Sequence, residues 1–186
     1  MKAKRKWDRE LALLIGAIAL MLVLLYIGVE AILTHSEDII REDIQNQALQ
    51  IGEEAPDFTV KTVEDGLFTL SENRGKPVIL HFWATWSEEC EVELPSIQRL
   101  YEEWADAAVI VGISYWEEAR VVQNYMREQN LTYPVGLDEE GSLMGLQYKS
   151  NSIPYTVVID ASGVITHSFH EIGEGAYDVL SGALGE

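Results

Sequence analysis

Cysteine is almost absent from this 186-residue chain: Cys90 stands alone. A single thiol excludes an intramolecular disulfide and a cysteine-built zinc site. Basic residues are scarce as well. Of 13 lysines and arginines, five (Lys2, Lys4, Arg5, Lys6 and Arg9) lie at the N-terminus, and beyond position 33 only 8 remain against 28 acidic residues. So acidic a stretch repels nucleic acid and anionic lipid headgroups. It favours cationic partners or cations, or simply keeps a domain soluble. Internal repeats and low-complexity tracts are missing too. What is present, 47% hydrophobic and 24% charged residues, is the composition of a chain that folds.

No charge interrupts residues 11–29, and after Glu30 the apolar run continues weakly through Ala31, Ile32 and Leu33. About 20 apolar residues suffice for a helix to cross the hydrocarbon core of a bilayer. Basic residues precede this run and acidic ones dominate after it, which sets the N-terminus in the cytoplasm and the rest outside. A cleaved signal peptide is the competing reading, but its apolar region is usually about 7–15 residues and ends in a small-x-small site. The run here is longer and has no such site. The expected organisation is a cytoplasmic N-terminus over 1–10, one transmembrane helix over 11–33, a juxtamembrane stalk over 34–50 and a folded domain over 51–186. In the stalk, Ile39, Ile40, Ile44, Ala48 and Leu49 recur at roughly helical spacing.

Strand-like and helix-like patterns alternate through the folded domain. Short strands are expected at 58–60 and 67–70, around the turn Glu64-Asp65-Gly66, with Ser71 capping a single turn after them. The run Val78-Ile79-Leu80-His81-Phe82-Trp83 suits a buried central strand. Ser87 stands where it would cap a helix whose face carries Leu94, Ile97, Leu100, Tyr101 and Trp104. Pro95 lies inside that helix, and lacking a donor it predicts a kink. Further strands are expected at 108–114, 135–137, 155–159 and 164–169, and helices at 117–129, 142–148 and 175–184. The order implies an α/β sandwich around a mixed central sheet.

Phe82-Trp83-Ala84-Thr85-Trp86-Ser87-Glu88-Glu89-Cys90 resembles the F-W-A-x-W-C-x-x-C signature of the TlpA/ResA-like membrane-anchored thioredoxin relatives. Around it, Gly52-x-x-Ala55-Pro56-x-Phe58, Gly75-Lys76-Pro77-Val78, Glu93-Leu94-Pro95 and Ile153-Pro154-Tyr155-Thr156 resemble the family's entry, central-strand link, E-x-P and cis-proline loop. The resemblance extends over about residues 51–184. It implies a thioredoxin-like α/β/α sandwich and extracytoplasmic thiol–disulfide exchange on protein substrates, as in cytochrome c maturation. It also implies a partner groove lined by Trp83, Trp86, Ile153, Pro154 and Tyr155, and neither a cofactor nor a metal ion.

The departure falls on the chemistry. Ser87 stands at the family's first cysteine, the thiol whose thiolate a helix N-terminus stabilises for attack. A serine forms no disulfide, so Cys90 is left alone at the resolving position as a relic or a buried packing residue, and a binding or accessory role follows. The competing reading is enzymatic. Ser87-x-x-Cys90 also resembles the T/S-x-x-C pattern of one-cysteine peroxidases, although Trp83 stands where that family has proline and no arginine is near in sequence. Thiol transfer through a mixed disulfide is a further use for Cys90. Glu88, Glu89, Glu91 and Glu93 flank the thiol and should raise its pKa. Glu93 aligns with the family's active-site glutamate and is either a proton-transfer group or a charge on the helix surface. His81, His167 and His170 form a poor metal set, because His167 and His170 fall on opposite faces of a strand.

Overall fold

The computed structural model describes residues 51–185 and, nearer the N-terminus, positions 20, 21, 23, 25, 26 and 28–30. The chain divides into two units, residues 1–47 and 48–186. In the first, the described positions are helical and their side chains exposed. Among the described residues no helix is long and apolar enough to cross a membrane. The remaining positions of the expected 11–33 anchor, with the 1–10 terminus and the 34–50 stalk, lie outside the described residues.

In the second unit, β-branched and aromatic runs become strands wherever both faces can be covered. These are β1 (Thr59–Lys61), β2 (Leu67–Thr69), β3 (Val78–Trp83), β4 (Val109–Tyr115), β5 (Val135–Asp138), β6 (Tyr155–Ile159) and β7 (Ile165–His170). The α-helices are α1 (Glu88–Trp104), α2 (Ala119–Gln129) and α3 (Ala176–Leu184). The central sheet has the order β5-β4-β3-β6-β7. Its β3–β4 and β4–β5 pairs are parallel, and β3–β6 and β6–β7 are antiparallel. β1 and β2 form a separate antiparallel hairpin, tied to the sheet by a bridge between Thr62 and Gly136.

All six residues of β3 are buried, and its alternation distributes them to two cores. Ile79 and Trp83 join Leu94, Ile97 and Leu100 of α1, Val122 of α2 and Leu180 of α3. Val78, Leu80 and Phe82 join Phe58, Leu143, Met144 and Tyr148 on the other face. The thioredoxin-like α/β fold around a mixed sheet is the expected one, with two unequal outer layers. All three α-helices pack on one face, and the other is covered by the hairpin and a five-residue π-helical turn, Leu143–Gln147. Asp138 organises that turn by accepting the Leu143 and Met144 amides at 3.1 and 2.9 Å. Ser71 lies inside the 3-10 turn Leu70–Asn73 rather than capping it, and its amide donates to Asp57 Oδ1 at 2.9 Å. Otherwise the elements fall within one or two residues of their expected bounds.

Candidate functional site

Parallel pairing of β3 with β4 sets Trp83 beside Ser114, and antiparallel pairing with β6 sets Phe82 opposite Tyr155. Three loops therefore meet at one edge of the sheet: Ala84–Ser87 after β3, Trp116–Glu118 after β4, and Ile153–Pro154 before β6. The Ile153–Pro154 peptide is cis.

Ser87 takes an extended conformation and caps α1. The Cys90 amide donates to its Oγ at 3.2 Å, and the hydroxyl donates to Glu89 Oε2 at 2.9 Å. Both functions of the hydroxyl are thus engaged, and Ser87 is only 6% exposed. Glu89 is held below the usual carboxylate range by its own backbone amide first and by the Ser87 hydroxyl second. One turn inward, Cys90 is fully buried in the core beneath α1. Burial is the largest cause pushing its thiol pKa up, the Ser87 hydrogen bond opposes this, and the charges of Glu93 and Glu89 add to the rise. The direction is the expected one, with desolvation leading and the flanking charges following.

Glu93 is not a helix-surface charge. It is fully buried, and the Gly173 amide donates to its Oε1 at 2.9 Å. Its Oε2 lies 3.8 Å from His81 Nδ1 and has no hydrogen-bond partner. Burial raises the Glu93 pKa, against the amides of Gly173 and Ile172, while the Glu171 charge adds to the rise. His81 is likewise buried, shares a 3.0 Å hydrogen bond with Thr156 Oγ1, and is pushed down to about 3 by desolvation. With His81 neutral, its contact with Glu93 is not an ion pair. His170 stacks on Tyr155 with ring centroids 4.5 Å apart and meets Ser152 at 3.2 Å. Among the described residues no group of three or more His, Cys, Asp or Glu could hold a metal ion.

The expected groove residues separate by depth. Trp86 is 62% exposed and Ile153 half-buried. Trp83 and Tyr155, by contrast, are buried and present no surface to a partner: Trp83 packs on Tyr125, and Tyr155 stacks against Phe82. The alternation of β3 forces this on Trp83, since its face is roofed by α1 and α2. Pro154, between Ile153 and Tyr155 in sequence, is buried as well, so the accessible part of the set is Trp86 with part of Ile153.

Two residues at this edge escaped sequence reasoning. Glu117, expected to open a helix, precedes it, and α2 starts at Ala119. Its buried carboxylate accepts the Thr85 amide at 2.9 Å, the Thr85 hydroxyl, and the Ser114 hydroxyl at 3.1 Å. It therefore clamps the β3 loop to the β4 loop. Its neighbour Trp116 is 66% exposed at φ +61°. The only local signal was an acidic residue two positions after a buried strand; its Thr85 partner is 32 positions away.

Residues 51–168 match the model of the AhpC/TSA family. The chain is 34% identical to the thiol-disulfide oxidoreductase ResA of Oceanobacillus iheyensis, the match covering all of this chain and 92% of that one. It is 32% identical to ResA of Bacillus cereus over 74% of this chain and 79% of the relative. Among solved structures, a thioredoxin-family thiol:disulfide interchange protein of Chlorobium tepidum superposes with TM-score 0.63 at 28% identity, over 74% of this chain and 99% of that one. StoA of Bacillus subtilis gives 0.60 at 29% identity, over 70% and 97%.

Proposed function

The chain belongs to the AhpC/TSA family and groups with its ResA-like thiol–disulfide oxidoreductases of thioredoxin fold; from that premise we propose a redox-impaired binding role. The protein acts as a membrane-anchored, extracytoplasmic accessory factor in thiol redox or cytochrome c maturation, holding a protein partner rather than cycling a disulfide. One observation carries this reading. The helix N-terminal position suited to an attacking thiol holds Ser87, its hydroxyl engaged on both sides, while the lone thiol of Cys90 is fully buried. Exchange begins with thiolate attack on a substrate disulfide, and the mixed disulfide is released when a second thiol attacks it. This chain has no second thiol to supply that step.

The test is an insulin-reduction and peroxide-consumption assay on the full chain beside its Ser87→Cys and Cys90→Ser variants. The original chain should be inactive in both assays, and Ser87→Cys should gain disulfide turnover. Peroxidase or thiol-transfer activity abolished by Cys90→Ser would overturn the binding role in favour of one-cysteine chemistry. The anchor is tested separately: the full chain should stay in the membrane pellet after alkaline carbonate extraction, and its release would remove that part of the proposal.

A further inference from the structure

Trp116 is costly where it stands. A bulky side chain at φ +61° occupies backbone space that favours glycine or asparagine. Its indole is 66% exposed and so adds little to the core. Scattered exposed apolar residues are ordinary, but this one is both strained and held. Its amide donates to the Asp138 carbonyl at 2.9 Å, its ring meets the edge of Tyr115 at 5.8 Å, and its neighbour Glu117 clamps the loop that carries Trp86. Residues kept in unfavourable backbone regions by an over-determined frame cluster at sites of binding and function.

The two exposed indoles thus stand in the loops that follow adjacent parallel strands, β3 and β4, which Glu117 joins through Thr85. Exposed Glu88 and Glu89 flank one, and Glu118 and Glu139 flank the other; Arg120 is the cation in the cleft beside Trp116. We propose that Trp86 and Trp116 form a docking surface for an extended, lysine- or arginine-bearing segment of a partner protein. Indole faces accept cationic heads and aliphatic stems together, and the glutamates supply the complementary charge. The same charge disfavours a second copy of this face and an anionic lipid surface. The inference rests on the binding role proposed above and names the chemistry of what is bound.

The experiment is calorimetric titration of the full chain, in non-ionic detergent, with a short cysteine-free peptide of alternating Lys and Val and with its Glu-for-Lys counterpart. The Lys peptide should bind and the Glu peptide should not. Trp116→Gly and Trp86→Ala should each weaken binding about fivefold, and Glu118→Gln with Glu139→Gln should weaken it and flatten its salt dependence. Trp116→Gly also guards against misfolding, because glycine relieves the backbone and its thermal midpoint should not fall. Equal binding of both peptides, undiminished binding by a folded Trp116→Gly chain, or no binding of the Lys peptide overturns the proposal. Self-association lost in Trp116→Gly without Lys-peptide binding does so in favour of a second copy. Because the probe carries no thiol, its binding is read independently of whether the chain proves redox-active.

Discussion

At the scale of single residues, the site is governed by what is buried. Cys90 should react slowly with iodoacetamide at neutral pH in the native chain and quickly once urea exposes it, since burial first and carboxylates second disfavour its thiolate. Rapid native labelling would contradict the raised pKa. His81 and Glu93 pull stability in opposite directions with pH. His81 titrates at about 3 instead of its ordinary 6.5, so its contribution is complete above 6.5 and is lost as pH falls toward 3. Glu93 has a raised pKa, so its contribution is complete below its ordinary 4.5 and is lost as pH rises through the folded value. Accordingly Glu93→Gln should be more stable than the original chain at pH 8, and His81→Asn should lose the acid-side slope. Urea unfolding followed across pH checks both. The burial of His81 was legible in its β-branched and aromatic run, but that of Glu93 was not, because Glu93 sits in an acidic run that reads as a solvated helix face.

Elements succeed or fail on their ends and their tightest contacts. Helix α1 begins at the Ser87 cap, and Ser87→Ala should cost about 1 kcal/mol, measured by urea denaturation. Strand β4 passes close beneath Trp83. A Cβ at Gly112 would stand 2.7 Å from Trp83 Nε1 and 2.8 Å from Tyr133 Cε2, both in fully buried rings. Gly112→Ala should therefore lose roughly 1–3 kcal/mol by overpacking. The Glu117 clamp joins the ends of β3 and β4. Glu117→Ala leaves Thr85 and Ser114 donors unanswered and should cost about 2–3 kcal/mol, with thermal melting as the measurement. The strands and the Ser87 cap were legible because period-two runs and capping residues act locally. The clamp was not, because its donor and acceptor come from different strands.

Across the whole molecule, charge is the dominant feature. With 28 acidic residues against 8 basic ones beyond position 33, self-repulsion should weaken the native state at low ionic strength. Added sodium chloride is expected to raise the thermal midpoint while weakening any bound cationic segment. A midpoint indifferent to salt would mean that the carboxylates are already balanced locally, as Ser87 and the Glu89 amide do for Glu89. The layering follows from connection length as well as composition. Long connections carry α1 and α2 across the same face of the parallel strands, as right-handed crossovers require. The segment at 142–148, preceded by Gly141 and interrupted by Gly145, is too short to build an equal layer opposite, and it closes as a π-helical turn.

The family, the run of strands and helices, the lone thiol and the serine before it are all written in neighbouring residues and can be read there. That Trp83 and Tyr155 are core rather than groove, that Glu93 faces His81 inside the protein, and that Glu117 ties two loops beside the exposed Trp86 and Trp116 emerges from the folded chain alone. Those outcomes depend on which face of a strand is roofed and on partners far apart in the chain. Spacing within one segment does not encode either of them.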